Sequence, residues 1–433
     1  MATVEAFRGI RYSLRNGTDI SDRIAPPYDV LSEADKQKLM SKSPYNIVAI
    51  DLPHTPPKTA GPEECYKKAA DTFQNWLDDG VLIRDDEPVI YLYQQRFVYD
   101  DKEYLRRGFI ARLRIEEFGS GSVFPHEKTY GGPKEDRLLL TKFTRANISQ
   151  VFCLFDDETN EITNTLYNRA KYPPTYKGEL DGVANEVWTL GDRELCHWLA
   201  QRMSERKVLI ADGHHRYDTS RMYRDYLREK EQIDENHPAN YVGCMFVSMS
   251  EPGLAILPTH RCIFGMQQLN LDELADALSD RFDIDWRDDI DTGEKLEEAC
   301  LGFGDSSLAF FKCDDERVLL VRPKDLENLL SDLADEYIRD WRKLAVSILH
   351  HYVLDKIIYP RWLKGDMPKI EYLHLADETF EFAKSHCDVL GVYVPATPID
   401  AMRNISLAGQ LMPQKSTFFY PKLATGLVIH PLF

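Results

Sequence analysis

The stretch Lys207–Ser220, KVLIADGHHRYDTS, decides how this chain is read. Val208–Ala211 is an apolar run of strand length. Asp212, Gly213, His214, His215 and Arg216 follow it. Met222, Tyr223, Tyr226 and Leu227 recur at helical spacing and predict a helix over Tyr217–Lys230. A buried strand that ends in a Gly-containing turn and opens a helix aims backbone N–H groups at one point. Such a point suits an anion, phosphate above all. Arg216 adds a planar fork that matches phosphate oxygens. His214 and His215, beside the Asp212 carboxylate, add groups that exchange protons near neutral pH. Strand–Gly–helix turns are also common in purely structural roles. Here four of the five residues from Asp212 to Arg216 are costly to bury unpaired, which favours a function.

The rest of the chain sets bounds. Its 433 residues suffice for a large core and suggest two or three domains. Hydrophobic content of 43% and charged content of 29% are those of an ordinary globular protein. A net charge of −18 argues against a general nucleic-acid binder, whose affinity comes largely from basic surface. It leaves room for a local basic pocket. The eight cysteines are scattered, with no CxxC pair and no zinc spacing, so free buried thiols in a reducing cytosol are expected. MATVEAFRGIRYSLRNG at the start has no apolar core of a signal peptide, and no run approaches ~18 apolar residues. A cytoplasmic location with no membrane span is the expectation, and the sequons at Asn16, Asn147 and Asn404 then carry no meaning.

Along the chain, Pro26 and Pro27 hold IAPPYDV extended, and Ser32 looks like an N-cap with Asp35 in the first turn. Further helices are expected over Glu63–Asp79, closed by Gly80, and over Lys134–Ala146, Arg193–Glu205, Leu271–Arg281 and 343–362. Pro88–Tyr99 and Glu103–Arg114 alternate like a hairpin that turns at Asp100–Asp101. Val151–Phe155, Tyr241–Ser248, Leu254–Pro258, Ser307–Lys312 and Arg317–Val321 read as strands. The expected organisation is a main α+β domain over 1–265, a small α+β subdomain or insertion over 266–340, and a C-terminal segment over 341–433 that packs back on the main domain.

Familiar motifs are missing. There is no GxxxxGK[ST] loop, no GxSxG elbow and no HExxH. Gly119–Gly121 and Gly302–Gly304 give GxG without a third glycine and read as loops. Adjacent histidines seldom chelate one metal, so no metal site is assigned to His126, Glu127, Asp212, His214 or His215. Mg2+ is expected to arrive on a nucleotide's phosphates. Two more polar clusters are compact, namely His126, Glu127, Lys128 and Thr129, and Gln414, Lys415, Ser416 and Thr417.

IAPPYDV (Ile24–Val30), HEKT with GPKEDR (His126–Arg137), TRANIS (Thr144–Ser149), ADGHHRY (Ala211–Tyr217), LPTHR (Leu257–Arg261) and MPQKSTFFYPK (Met412–Lys422) stand in one order. Together they resemble the DUF1015 family, which is largely uncharacterised. The DGHHR turn also resembles the phosphate-binding box of the ParB/sulfiredoxin superfamily, whose members include partition CTPases, sulfiredoxins and a free-serine kinase. That resemblance implies an α/β or α+β fold with a ParB/sulfiredoxin-like nucleotide-binding core and an additional α+β subdomain. It implies that Gly213, His214, His215 and Arg216 clamp phosphates. Sulfiredoxin chemistry needs a cysteine where this chain has His214, and a partition protein would carry a helix-turn-helix and basic surface.

The expectation is therefore a nucleotide-dependent phosphotransferase for a small hydroxylated metabolite, serine-kinase-like, using ATP or ADP with Mg2+. Arg216 would stabilise the transferred group, with Lys128, Thr129, Lys415, Ser416 and Thr417 as further phosphate contacts. Glu127, Asp212, His214 or His215 would take the acceptor's proton, and Asp29, a third carboxylate candidate, would lie at the substrate with His126 and Arg261. The alternatives are a phosphohydrolase of a nucleotide or phosphoester, and a non-catalytic nucleotide-responsive switch. Partners are expected to be nucleotide and small molecule, with neither nucleic acid nor membrane.

Overall fold

A computed structural model describes residues 2–14, 17–119, 121–127, 131–331, 335–363, 365 and 367–433. The fold is mixed α/β, and the chain divides into two compact units. Unit 1 is Met1–Leu254 with Pro421–Phe433, and unit 2 is Ala255–Tyr420. The boundaries thus fall at 254 and 420, whereas the sequence had suggested 265 and 340. Residues 266–340 are only part of a larger sheet unit, and of 341–433 only Pro421–Phe433 return to unit 1.

Unit 1 is built on a sheet that is ten-stranded among the described residues. Its spatial order runs Thr18–Asp19, Tyr176–Leu180, Val183–Leu190, Ile90–Tyr99, Lys102–Arg114, Tyr241–Ser248, Val151–Phe155, Val208–Asp212 and Val123–Phe124, with Val4–Glu5 beside Lys102–Arg114. The hairpin forms as expected, with Asp100 and Asp101 at φ 50° and 54°, the left-handed pair that a two-residue turn requires. Tyr241–Ser248 runs parallel to Val151–Phe155, and Val208–Asp212 runs antiparallel to it. The last pairing shifts register between Ile210 and Asp212. Such a bulge bends the strand end and re-aims its side chains.

Two of the apolar clusters in unit 1 flank the site. One packs Phe109, Val151, Cys153, Val208, Ile210 and Tyr217 with Leu195 and Leu199 of the helix Arg193–Ser204. The other packs Tyr66, Phe73 and Trp76 of the helix Glu63–Asp78 with Leu140 of the helix Gly131–Thr144 and with Tyr28. Ser32 caps the helix Glu33–Lys42 in a full capping box with Asp35. The IAPPYDV segment is pinned from both sides. Asn46 Nδ2 donates to the carbonyls of Asp22 and Ile24, and Ala25 exchanges two backbone bonds with Thr425.

Unit 2 carries a sheet that is six-stranded among the described residues and antiparallel, in the order Phe282–Arg287, Val318–Pro323, Leu308–Phe311, Val389–Tyr393, His260–Phe264 and Ile370–Leu373. The helices Gly293–Phe303 and Ala376–Ser385 cover one face through Leu296, Cys300, Phe380 and Ala383. The expected helix over 343–362 is present from Ala345, with Leu349–Ile358 wound as π-helix. Cys313 and Cys387 form a disulfide, and the other six cysteines are free. This corrects the expectation of free thiols alone. The two partners are 74 residues apart, and only the sheet brings them together.

Among the described residues, no helix is long and apolar enough to cross a membrane.

Candidate active site

Val208–Asp212 ends where a helix begins at once, since His214–Lys230 starts three residues earlier than its apolar spacing suggested. His214, His215 and Arg216 are therefore its first turn. The hinge is Gly213, at φ 87° and ψ 28°. A side chain there would meet both left-handed strain and the Arg216 guanidinium, whose Nε lies 2.8 Å from where a Cβ would stand. The first-turn N–H groups of any helix lack intrahelical partners and carry the positive end of its dipole.

Arg216 folds back beneath the turn. It donates Nη1 to the Gln150 carbonyl and Nη2 to Asp212 Oδ2, 3.3 Å away. The other Asp212 oxygen lies 3.5 Å from Lys422 Nζ. Arg106 is fully buried against the Phe152 ring and bonds to Gln95 and to the Pro421 carbonyl. Burial lowers its pKa to about 10, with Tyr93 and Asp212 opposing, so it stays charged at neutral pH. Two cations thus contact the Asp212 carboxylate and Arg106 adds its charge nearby, in a chain whose net charge is −18.

The two motif histidines meet edge to face, with ring centroids 4.6 Å apart. The His126 backbone N–H donates to His214 Nε2 at 3.3 Å, and His126 Nδ1 lies 2.6 Å from the Ile210 carbonyl, to which it donates. Each bond fixes a tautomer. Burial pushes both pKa values down, although Glu127 raises that of His126 from 3.8 Å. His214 therefore does not suit the proton-accepting role assigned to it, because its acceptor nitrogen is engaged. His215 is half-buried on the second residue of the helix.

On its far side Arg216 lines a second space. A cavity of about 30 Å3 is walled by Asp51, Arg137, Asn147, Ser149, Arg216 and Thr219, among others. Arg137, itself buried, donates Nη1 to Asp51 Oδ1 at 3.2 Å and Nε to Asp136 Oδ2 at 2.9 Å, and lies 3.7 Å over the Tyr28 ring. Tyr66 donates its hydroxyl to Asp136 at 2.6 Å. Lys134 and Arg221 both pair with Asp218, tying the helix Gly131–Thr144 to the helix His214–Lys230. IAPPYDV, GPKEDR, TRANIS and DGHHR, far apart in sequence, thus meet in unit 1. Asp29 belongs to this group through the turn Tyr28–Val30, half-exposed beside Tyr28.

Lys128 and Thr129 lie outside the described residues. Lys415, Ser416, Thr417 and Arg261 belong to unit 2, where LPTHR and MPQKST meet each other. Arg261 is buried, and it donates to the carbonyls of Thr259 and Lys415. Thr397 donates to the Ser416 carbonyl at 2.6 Å. Sequence reasoning had left Arg106, Lys422, Asp51 and Arg137 without a role. Lys422 and Arg137 were within quoted motifs, and Arg106 was masked by its exposed-looking strand neighbours. Among the described residues, no group of three or more His, Cys, Asp or Glu side chains is placed to hold a metal.

The sequence model of a family described as "Protein of unknown function (DUF1015)" matches residues 4–345. The chain belongs to the DUF1015 family. No curated protein matches this DUF1015 chain. Among solved structures it is similar to a free serine kinase mutant in complex with ADP, at 12% identity over 69% of this chain and 84% of that one, with a TM-score of 0.32. It is similar to a conserved hypothetical protein from Pyrococcus furiosus, at 12% identity over 70% and 89%, with a TM-score of 0.32. It is also similar to SbnI with a C-terminal truncation from Staphylococcus aureus, at 12% identity over 72% and 84%, with a TM-score of 0.33. These likenesses are too slight to carry a conclusion about fold or activity.

Proposed function

We propose that unit 1 is a nucleotide-dependent phosphotransferase for a small hydroxylated metabolite, with the phosphates held at the Gly213–Arg216 turn. One observation carries this reading. Arg216 and Lys422 lie against the two oxygens of Asp212 at the glycine-hinged start of a 17-residue helix, with the buried Arg106 adding its charge nearby. That arrangement favours an anion where the chain as a whole repels one.

Phosphoryl transfer asks the protein mainly for positioning and charge stabilisation. Helix N–H groups and Lys422 would hold the phosphates of ATP or ADP. Arg216 would exchange its long contact with Asp212 for a phosphate oxygen and stabilise charge as it develops. Mg2+ would enter on the nucleotide. The neutral His126–His214 pair would keep the base of the turn rigid, with Glu127 at its edge.

Calorimetric titration of ATP, ADP and CTP with Mg2+ tests the reading, on wild type, Arg216→Ala and Lys422→Met. The expected result is micromolar binding that falls at least tenfold in both variants, with unchanged circular dichroism. Absence of binding by wild type refutes the proposal. Turnover without any acceptor would assign a phosphohydrolase instead, and binding without turnover under any acceptor would assign a switch.

A further inference from the structure

Four buried polar side chains of the unit 1 sheet hold the segment that carries Lys422. Tyr93, Gln95, Arg106 and Asn185 are 1%, 1%, 0% and 2% exposed. The last three stand side by side on neighbouring strands, Asn185 opposite Gln95 and Gln95 opposite Arg106. Gln95 Nε2 donates to Asn185 Oδ1 at 3.2 Å and to the Lys422 carbonyl at 3.1 Å. Arg106 Nη2 donates to Gln95 Oε1 and to the Pro421 carbonyl. Tyr93 donates its hydroxyl to Asn185 Oδ1 at 2.6 Å and accepts the Ala424 N–H at 3.3 Å. Asn185 Nδ2 donates to the carbonyls of Val183 and Gly178. Both ends of the Gln95 and Asn185 amides are thus engaged, so neither can turn over without losing bonds.

We propose that this row of side chains is a positioning device for Lys422, fixing which residue of the segment 421–424 meets Asp212 beside the phosphate turn. The inference rests on the phosphotransferase reading above, in which Lys422 holds a phosphate, and deepens it by naming the residues that place the lysine. The row grips the segment at main-chain atoms, namely the carbonyls of Pro421 and Lys422 and the N–H of Ala424. Bonds to main chain set register. A slip by one residue would bring Pro421 or Leu423 to Asp212, and neither carries a charge. With the register kept, Lys422 Nζ lies 3.5 Å from Asp212 Oδ1.

Stability alone does not ask for such a row. Well-packed apolar side chains of similar volume are often as stabilising as buried charged and polar ones, or more so. The lowered pKa of Arg106 registers the cost of its burial. A polar row gives direction instead, because each hydrogen bond accepts a narrow range of donor and acceptor geometry. Arg106 lies against Phe152 and bonds to Gln95 and Pro421, so it serves the nucleotide through the placing of Lys422 rather than by contact.

The test is a double-mutant cycle on Gln95→Met and Lys422→Met, read by calorimetric binding of Mg–ADP and Mg–ATP. Gln95→Met should weaken binding about tenfold, the loss of one charge-assisted hydrogen bond from Lys422 to phosphate. The double variant should bind as Lys422→Met alone does, since the two changes remove one interaction. If Gln95→Met leaves affinity unchanged, or weakens it equally with and without the lysine, the row is merely structural and the inference falls. A second readout needs no nucleotide. Acylation of the Lys422 amine, followed by mass spectrometry, should speed up in Gln95→Met as it does in Asp212→Asn. An amine that still reacts at the wild-type rate in Gln95→Met has kept its place, which overturns the inference. Should Gln95→Met fail to fold, Tyr93→Phe removes one hydroxyl at nearly constant volume and takes its place in both measurements. If wild type binds no nucleotide, the phosphotransferase reading falls, and the acylation rates alone decide whether the row places Lys422.

Discussion

Replacing Gly213 with alanine should destabilise the turn by about 2.5–5 kcal/mol, and the figure has two separable parts. Gly213 sits at φ 87°, and a left-handed conformation costs an L-residue roughly 1–2 kcal/mol. The new methyl would also stand 2.8–3.0 Å from Nε, Nη2 and Cζ of Arg216. Arg216 cannot swing away without leaving the Gln150 carbonyl and Asp212, and losing a charged hydrogen bond costs roughly 1.5–3 kcal/mol. Gly182 is the control, because it has φ 76° and nothing within 4 Å of its added Cβ, so Gly182→Ala should cost only the first part. Native-state hydrogen exchange of peptides spanning 208–230 and 176–190 reads both costs, without requiring the 433-residue chain to unfold in one step. In an Arg216→Ala background the Gly213→Ala cost should fall to that of Gly182→Ala, because the second part has been removed. If the cost in wild type already equals the control, or survives unchanged without Arg216, the guanidinium is not lodged under the turn. The account of the site would then be wrong.

Other outcomes can be checked independently. His126 and His214 have pKa values lowered by burial, and His430 is lowered to about 3 by the same cause. Unfolded histidines take up protons near pH 6.5 while these folded ones do so only at lower pH, so unit 1 is at full stability above pH 6.5 and weakens as pH falls below it. The slope is up to about 1.4 kcal/mol per pH unit per histidine, and urea midpoints between pH 7.5 and 5 should show it flattened in His126→Gln. Arg137→Ala removes the guanidinium that pairs with both Asp51 and Asp136 and should lower stability by about 3–5 kcal/mol, read as a fall in the thermal midpoint of unit 1. The Cys313–Cys387 bridge closes a 74-residue separation, so Cys313→Ser with Cys387→Ser should cost unit 2 about 4 kcal/mol in denaturant titration, leaving nucleotide binding by unit 1 unaffected.

Local features were legible because their causes are local. Ser32 with Asp35 announced a capped helix, Asp100–Asp101 announced a hairpin, and Val208–Ala211 before a glycine announced the strand that carries the site. The helix after it was placed at Tyr217, since apolar spacing cannot register His214 and Arg216 as helical when their side chains turn to polar partners. Arg106 escaped notice because nothing in its neighbourhood of charged strand residues marks it as the buried one. Asp51 sits in an apolar helix of four residues and acquires meaning only when Arg137, some 86 positions later, reaches it. The disulfide, the unit boundaries and the meeting of four motifs are likewise long-range facts. A reading of spacing gives the motifs, and only the folded sheet says which of them are neighbours.

The order in which the chain is made gives the split composition of unit 1 a consequence. Residues 421–433 supply Lys422 beside Asp212, the Val428 carbonyl for Gln150 and the pairing of His430 with Asn147. The 166 residues of the other unit therefore stand in the chain between the ten-stranded sheet, complete by Ser248, and the residues 421–433 that bring Lys422 to Asp212. Ala255 and Tyr420, where that inserted unit begins and ends, are hydrogen-bonded strand partners, so the unit can fold as a closed loop with its two ends already side by side. A chain cut short anywhere before residue 422 holds the turn without the lysine.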